Sequence, residues 1–278
     1  MINDIILIDV KNTKTPSEKK NVLKNDETKL RIHGCQLLQE AGIILKLKAV
    51  TITTSQVLFH RFYFKESLTD FDVKIIAPSA LFLASKLEED FCSIYKLIST
   101  FYFLNKYEDI KSKHYYFDVK SIRTYHFKIN AESQEYQNMK LDIYTYELLL
   151  LKSIGFYVYK INVHPHLFIL PYIHSLFNNL SKFDEELVKK LAQISWGFLN
   201  DSMRTTLCCE YQPRCIAVAA IFLAAYKLNI PLIKSTNWYK LFDVEYDDIK
   251  KICIRILQLY KIGRCSYIDV LKKKKLQQ

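Results

Sequence analysis

Two groups of side chains in this sequence are of the types that bind metal ions, and both groups are incomplete. One is His164-Pro165-His166, and the other is Cys208-Cys209 followed by Cys215. A structural zinc site takes four His or Cys ligands in a tetrahedron. The histidine pair has no third ligand nearby, and two adjacent thiols rarely reach one tetrahedral ion. We therefore predict no metal site, and we expect a polar helix start at the histidines and packing thiols at the cysteines.

Sequence patterns for nucleotide binding and hydrolysis are missing as well. The chain contains no GxGxxG, GxxxxGK[ST], HExxH or GxSxG, and its five glycines leave little material for a phosphate loop. We predict no catalytic residue, no enzymatic activity and no cofactor. A protein of this kind acts through its binding surfaces.

Composition adds little about the partner. The net charge of +11 comes mostly from lysines spread along the chain, apart from the run Lys272–Lys275. A solvated surface explains this charge, so we do not expect direct nucleic-acid binding. No apolar run approaches the roughly 18 residues of a membrane span, and the first ten residues lack a signal-peptide pattern. We expect an intracellular protein with reduced, buried cysteines and no membrane contact.

Apolar residues at three- and four-residue spacing predict an almost entirely helical chain. One helix is predicted over Ser181–Arg204, where Ser181 and Asp184 form a capping box. A second is predicted over Leu141–Ile154, with Gly155 as its C-cap. The apolar residues that recur on one face of this second helix are Leu141, Tyr144, Leu148 and Leu151.

The sequence repeats itself at a shift of 140 residues. Residues 77–86 read APSALFLASK, and residues 217–226 read AVAAIFLAAY. The alanines of each copy fall on one stripe, which lets neighbouring helices approach closely, as around the central helix of a bundle. We therefore predict an all-α fold with two tandem helical bundles of about five helices each.

The repeat also sets the expected domain boundaries. We expect an N-terminal extension over 1–27, a first bundle over 28–160, a second bundle over 161–263 and a basic tail over 264–278. The polar and aromatic stretch at about 105–138 interrupts the first copy and is interpreted as an insertion or long loop.

Two motifs of the first copy resemble the cyclin family. Leu83–Glu89 reads LASKLEE, which is similar to the LASK-x-EE signature of the first cyclin box. Tyr146–Phe156 is similar to the family's E-x-x-x-L-K-x-x-G-F element. Among cyclins the similarity is greatest to the transcription and RNA-processing group of cyclin L. The segments that carry it are Gln39–Ile43, Gln56–Phe59, Val163–His166, Leu199–Thr205 and Tyr211–Pro213.

The resemblance implies a kinase-binding surface on the first cyclin box. Family members use a lysine and a glutamate, at the positions of Lys86 and Glu147, to hold the regulatory helix of a kinase. Taken alone, either residue could be an ordinary surface charge. The second copy has Tyr226 where the first has Lys86, so only the first copy keeps the pair. The other residues assigned to this surface are Phe82, Leu83, Glu89 and Leu150.

The resemblance also implies a function. It predicts a nuclear regulatory subunit, with a cytoplasmic fraction left open, that forms a heterodimer with a cyclin-dependent kinase and acts through it on RNA polymerase II or splicing proteins. An alternative is a TFIIB-like general transcription factor that binds DNA and polymerase through two cyclin folds. Another is a helical scaffold without a kinase. The substrate-docking MRAIL-x-x-W element of cell-cycle cyclins and an arginine-serine-rich tail are absent from the sequence.

Overall fold

The computed structural model describes residues 7–8, 14–113, 129–158, 163–177, 185–232 and 237–270, with the backbone alone at 108–113. Within these ranges the regular structure is helical and contains no strand, which confirms the all-α class. No helix of this described part is long and apolar enough to span a membrane. The chain divides into two compact units, one made of Lys14–Val158 with Arg264–Gln278 (the first unit) and one of Met1–Thr13 with Tyr159–Gly263 (the second unit).

The first unit is built around its alanine-rich helix. Its helices are α1 (Pro16–Lys19), α2 (Lys24–Ile44), α3 (Ala49–Lys65), α4 (Val73–Leu87), α5 (Ile94–Lys113) and α6 (Gln134–Ser153). Helix α4 packs against α2, α3, α5 and α6. Its small residues Ala77, Ala80 and Ala84 have no exposed area, so four neighbours can approach one central helix.

The second unit repeats this plan. Its helices are α7 (His166–Phe177), α8 (Glu185–Ser202), α9 (Leu207–Glu210), α10 (Pro213–Lys227), a 3-10 helix (Trp238–Phe242) and α11 (Tyr246–Ile262). Helix α10 packs against all the others of this unit. Ala217, Ala220 and Ala224 are as fully buried as their counterparts in α4. The alanine-rich helices of the sequence repeat are thus the central helices of the two units.

Helices α4 and α10 end in the same way. In each, the second residue beyond the helix takes a left-handed backbone conformation, with φ of 50° at Glu89 and 54° at Asn229. The next amide bonds back into the last turn, from Asp90 N to Ser85 O at 2.9 Å and from Ile230 N to Ala225 O at 2.9 Å. These are the bonds of a Schellman C-cap.

Helices occupy both ends of the segment that the sequence marks as an insertion. Helix α5 continues to Lys113, and α6 already begins at Gln134, where the Ser133 side chain accepts from the Tyr136 amide at 3.2 Å. The predicted C-cap of α6 is present, because Gly155 has φ of 67°. Residues 114–128 and the predicted capping box of Ser181 and Asp184 lie outside the described residues, as does Lys272–Lys275.

Candidate protein-binding face

Lys86 and Glu147 form an ion pair on the surface of the first unit. Lys86 lies in the last turn of α4, and its Nζ is 2.8 Å from Glu147 Oε1 and 2.9 Å from Oε2. The lysine side chain is 51% exposed and the glutamate 12%. An ion pair this open to water contributes about 0.2–1 kcal/mol to stability. The ammonium carries three N–H donors, so Glu147 leaves at least one that can donate to another molecule.

An aromatic surface supports the ion pair. Lys86 Nζ lies 4.2 Å from the centre of the Phe82 ring, one helical turn earlier on α4. The Phe82 ring in turn meets the Tyr144 ring edge to face, with centres 5.9 Å apart. A cation over an aromatic face is attracted by the ring quadrupole. These contacts fix the lysine head group while half of its side chain remains in solvent.

A groove of about 550 Å³ lies beside the ion pair. Its walls come from the end of α4, the following loop, the start of α5 and one residue of α6. The residues that line it are Phe82, Ser85, Lys86, Glu89, Phe91, Cys92, Ser93, Ile94 and Tyr144. Phe91 is 92% exposed, which is unusual for a large apolar side chain and costs free energy in water. The groove therefore has an apolar rim that a protein partner could cover.

The loop that carries Phe91 is anchored on α3. Thr54 Oγ1 donates to Glu88 Oε1 at 2.6 Å, and Thr51 Oγ1 donates to Asp90 Oδ2 at 2.8 Å. The same Asp90 oxygen accepts from the backbone amide of Lys48, the N-cap of α3, at 2.7 Å. A carboxylate at a helix N-terminus is favoured by the helix dipole. The loop is thus held from both sides of Glu89, which is itself exposed.

Helix α6 has two apolar faces. Its buried residues are Tyr136, Ile143 and Leu150, at seven-residue spacing. Of the face marked in the sequence, Leu141, Tyr144 and Leu148 are instead 67%, 43% and 50% exposed, and Leu151 is half-buried. One face serves the core and the other presents apolar area next to Glu147. The predicted periodicity marked only the face with Leu141, Tyr144 and Leu148, whereas packing buries the other face.

The structure brings most of the assigned residues together. Lys86, Glu147 and Glu89 lie at the surface, and Phe82 is largely covered beneath the lysine. Leu83 and Leu150 are buried, at 3% and 0% exposure, and present no area to a partner in this conformation. Their packing instead holds α4 and α6 in place. The exposed apolar residues Phe91, Tyr144 and Leu148 were not individually predicted to belong to the kinase-binding surface. In the sequence, the signal for an exposed Phe91 is that this aromatic residue directly follows three acidic ones.

The metal-ligand candidates of the sequence are packed as side chains of the second unit. His166 is the first residue of α7, and its Nε2 lies 3.0 Å from Asn200 Oδ1. Burial is the largest cause that lowers the pKa of His164, to about 3. Cys209 and Cys215 are buried and Cys208 is partly exposed. Among the described residues, no group of three or more His, Cys, Asp or Glu side chains could hold a metal ion.

Comparison with solved structures identifies the class of this architecture. The chain superposes on a chain of the CAK complex of Chaetomium thermophilum with a TM-score of 0.61, at 19% identity, covering 85% of this chain and 65% of that one. It superposes on a chain of the yeast RNA Pol II CTD kinase CTDK-1 complex with the same score, at 20% identity, covering 89% and 72%. The two helical units are therefore a tandem cyclin fold, as the sequence predicts.

Sequence comparison then gives the family. The cyclin N-terminal domain model matches residues 4–159, more than half of the chain. The chain belongs to the cyclin family. It is 34% identical to Cyclin-L1-1 of Arabidopsis thaliana, over 98% of this chain and 59% of that protein. It is 36% identical to human Cyclin-L1, over 93% and 45%. The predicted similarity to cyclin L is confirmed, and the chain spans about half the length of these relatives.

Proposed function

We propose that this chain binds a cyclin-dependent protein kinase and activates it as a non-catalytic subunit. We place this activity in the nucleus, in RNA polymerase II transcription or pre-mRNA processing. The relatives of the cyclin L group support this proposal, since the chain matches them along nearly its whole length. One chain of the RNA Pol II CTD kinase CTDK-1 complex shares this fold, as does one chain of the CAK complex bound to ATP-gamma-S.

One observation carries the proposal. The outward face of α6 and the exposed Phe91 leave apolar area open near the Lys86–Glu147 pair. A protein interface typically combines such an apolar centre with charged groups that set register. The lysine of the ion pair is half exposed to water, so the pair contributes little to the stability of the fold. The ammonium and the carboxylate also keep donor and acceptor capacity for a partner.

The physical task of such a subunit is to change a kinase equilibrium. A protein kinase is active when a strand lysine pairs with a glutamate of its regulatory helix and the activation segment is ordered. A subunit that binds the inward position of that helix better than the outward one shifts the population toward activity. Moving the ratio from 1:99 to 99:1 takes about 5.5 kcal/mol of differential binding. Apolar contact over the α4–α6 face is the source that we propose.

A charge swap tests this proposal without removing the ion pair. In Lys86→Glu/Glu147→Lys the two side chains can still attract each other, so the fold should be retained. A partner would meet the charges in reversed positions. We expect affinity for the kinase to fall at least about tenfold, because misplaced charges in an interface cost more than about 1.4 kcal/mol.

The matched control is the Lys–Glu pair of α8, where Lys189 Nζ lies 2.7 Å from Glu185 Oε1. We expect Lys189→Glu/Glu185→Lys to bind the kinase as the wild type does. The measurement is co-purification with each cyclin-dependent kinase of the source cells, followed by assays on polymerase and splicing-factor substrates. The proposal fails if the wild type raises the activity of none of them, and steeply salt-dependent DNA binding instead would favour the TFIIB-like function.

A further inference from the structure

The chain beyond the second unit returns to the first unit. Helix α11 ends at Ile262, and its C-cap residue Gly263 has φ of 72°. Residues 264–270, here called the strap, belong to the first unit. Cys265 in the strap is 6% exposed. The strap is therefore packed against the first unit at Cys265.

The strap is bonded to α2 at three successive points. Arg264 forms an ion pair with Glu40 at 2.8 Å, and the Cys265 amide donates to Gln36 Oε1 at 3.3 Å. The Cys265 carbonyl lies 3.2 Å from Nδ1 of His33, a side chain that is 1% exposed. Because a carbonyl only accepts, this nitrogen carries the proton. Glu40, Gln36 and His33 lie one turn apart along α2, so the strap follows that helix.

The strap is also bonded to the beginning of α4. Tyr267 Oη donates to Asp72 Oδ2 at 2.6 Å. Asp72 is the N-cap of α4, and its other oxygen accepts from the Lys74 amide at 2.8 Å. The Lys74 ammonium lies 4.1 Å from the centre of the Tyr267 ring. One tyrosine thus contacts both the cap and the first turn of the central helix.

We propose that the strap ties α2 to the first turn of α4, and that Tyr267 is a positioning residue for the kinase-binding face. Helix α4 is continuous from Asp72 to Lys86, and its far end sets the distance from Lys86 to Glu147 on α6. Loosening the cap allows the helix to fray and tilt within the bundle. The role of Tyr267 for the kinase-binding face rests on the proposed function, whereas the tie between α2 and α4 does not.

The test uses the full chain with two substitutions at Tyr267 and the same two at a matched tyrosine. Tyr267→Phe removes only the hydrogen bond to Asp72, and Tyr267→Ala also removes the ring over Lys74. Tyr260 is the control, because its Oη donates to Asp201 Oδ2 at 2.5 Å in the second unit. One readout is amide hydrogen exchange, resolved by segment. The other is the dissociation constant for the cyclin-dependent kinase that co-purifies with the wild-type chain.

We expect Tyr267→Ala to accelerate amide exchange at least about fivefold in the first turn of α4 and along α2. A fivefold acceleration is about the effect expected when one helix cap is lost. Tyr267→Phe should show a smaller acceleration in the same segments. Kinase affinity should weaken in the same order. The Tyr260 variants should leave α4, α2 and kinase affinity unchanged.

Other outcomes overturn the inference. Unchanged exchange in α4 would show that the strap does not hold the helix, and equal acceleration in both units would show a general loss of stability. If exchange changes as expected while kinase affinity stays constant, Tyr267 does not position the binding face. If wild type binds no kinase at all, the proposed function fails, and the exchange data still decide whether the strap ties α2 to α4.

Discussion

The two central helices differ in what they expose and agree in what they bury. At equivalent positions near their ends, α4 has Lys86 in an ion pair and α10 has Tyr226, which is 79% exposed and carries no charge. The alanines that pack the two bundles are the same. The repeat therefore preserves the residues that build the fold, and the residues that we propose for kinase binding occur in one copy.

The two C-caps extend this comparison to the backbone. The left-handed position is Asn229 in the second unit, a residue type that tolerates this conformation, and Glu89 in the first. A residue such as glutamate takes it at a cost of about 1 kcal/mol. Strained residues of this kind cluster at functional sites. Glu89 lies on the groove beside Lys86, and its exposed side chain is open to a partner there.

The largest expected effect is acid sensitivity, which has one buried histidine as a source in each unit. Burial, the largest cause, acts with nearby Lys74 and Arg264 to lower the pKa of His33 in the first unit from 6.5 to about 4. The unfolded chain therefore binds a proton below pH 6.5 that the folded chain does not bind until about pH 4. Stability is lost as the pH falls through this window, by about 3 kcal/mol in total for His33. His164 has the same effect in the second unit, down to about pH 3.

Substitution of each histidine by asparagine tests whether the two effects are separate. Both tryptophans, Trp196 and Trp238, lie in the second unit, so their fluorescence in urea follows that unit alone. We expect His164→Asn to flatten the pH dependence of the fluorescence midpoint between pH 6.5 and 4, and His33→Asn to leave it unchanged. An equal change in both variants would mean that the units unfold as one.

Two glycines give the next largest contrast. A Cβ on Gly34 in α2 would lie 2.1 Å from the Phe59 ring, whereas a Cβ on Gly197 in α8 would meet no atom of the described residues within 4 Å. We expect Gly34→Ala to destabilise the chain by about 1–3 kcal/mol through overpacking. Gly197→Ala should stabilise it by about 0.5–1 kcal/mol, because alanine loses less conformational freedom in a helix. Thermal unfolding of both variants checks the signs, and a stabilising Gly34→Ala would contradict the close contact of α2 and α3.

The smallest effect is expected when the residue types at the two left-handed positions, Glu89 and Asn229, are exchanged. We expect Glu89→Asn to raise the free energy of unfolding by up to about 1 kcal/mol, and Asn229→Glu to lower it by a similar amount. Affinity for the kinase should weaken in Glu89→Asn despite the gain in stability. Urea denaturation and kinase titration of the two variants measure both changes. A Glu89→Asn variant that is more stable and binds equally well would remove the functional reason for the strained glutamate.

The repeat predicted the two central helices, because an alanine stripe that can be buried is a local property of the sequence. The resemblance to cyclins implied one surface for Lys86 and Glu147, and it did not predict that the two side chains form an ion pair with each other. The orientation of α6 was not predictable, since the helix carries two apolar faces and only packing selects the buried one. The placement of Tyr267 against Asp72 was not predictable either, because it joins residues almost two hundred positions apart. The sequence indicated only a basic tail there.

The return of the strap to the first unit has a consequence for synthesis of the protein. On the ribosome, Val158 emerges more than a hundred residues before Arg264, although both belong to the same compact unit. At 5–20 residues per second the first unit waits roughly 5–20 s for its last segment. During that time His33 of the nascent chain has no Cys265 carbonyl to meet. The half of the protein that is made first is therefore completed last.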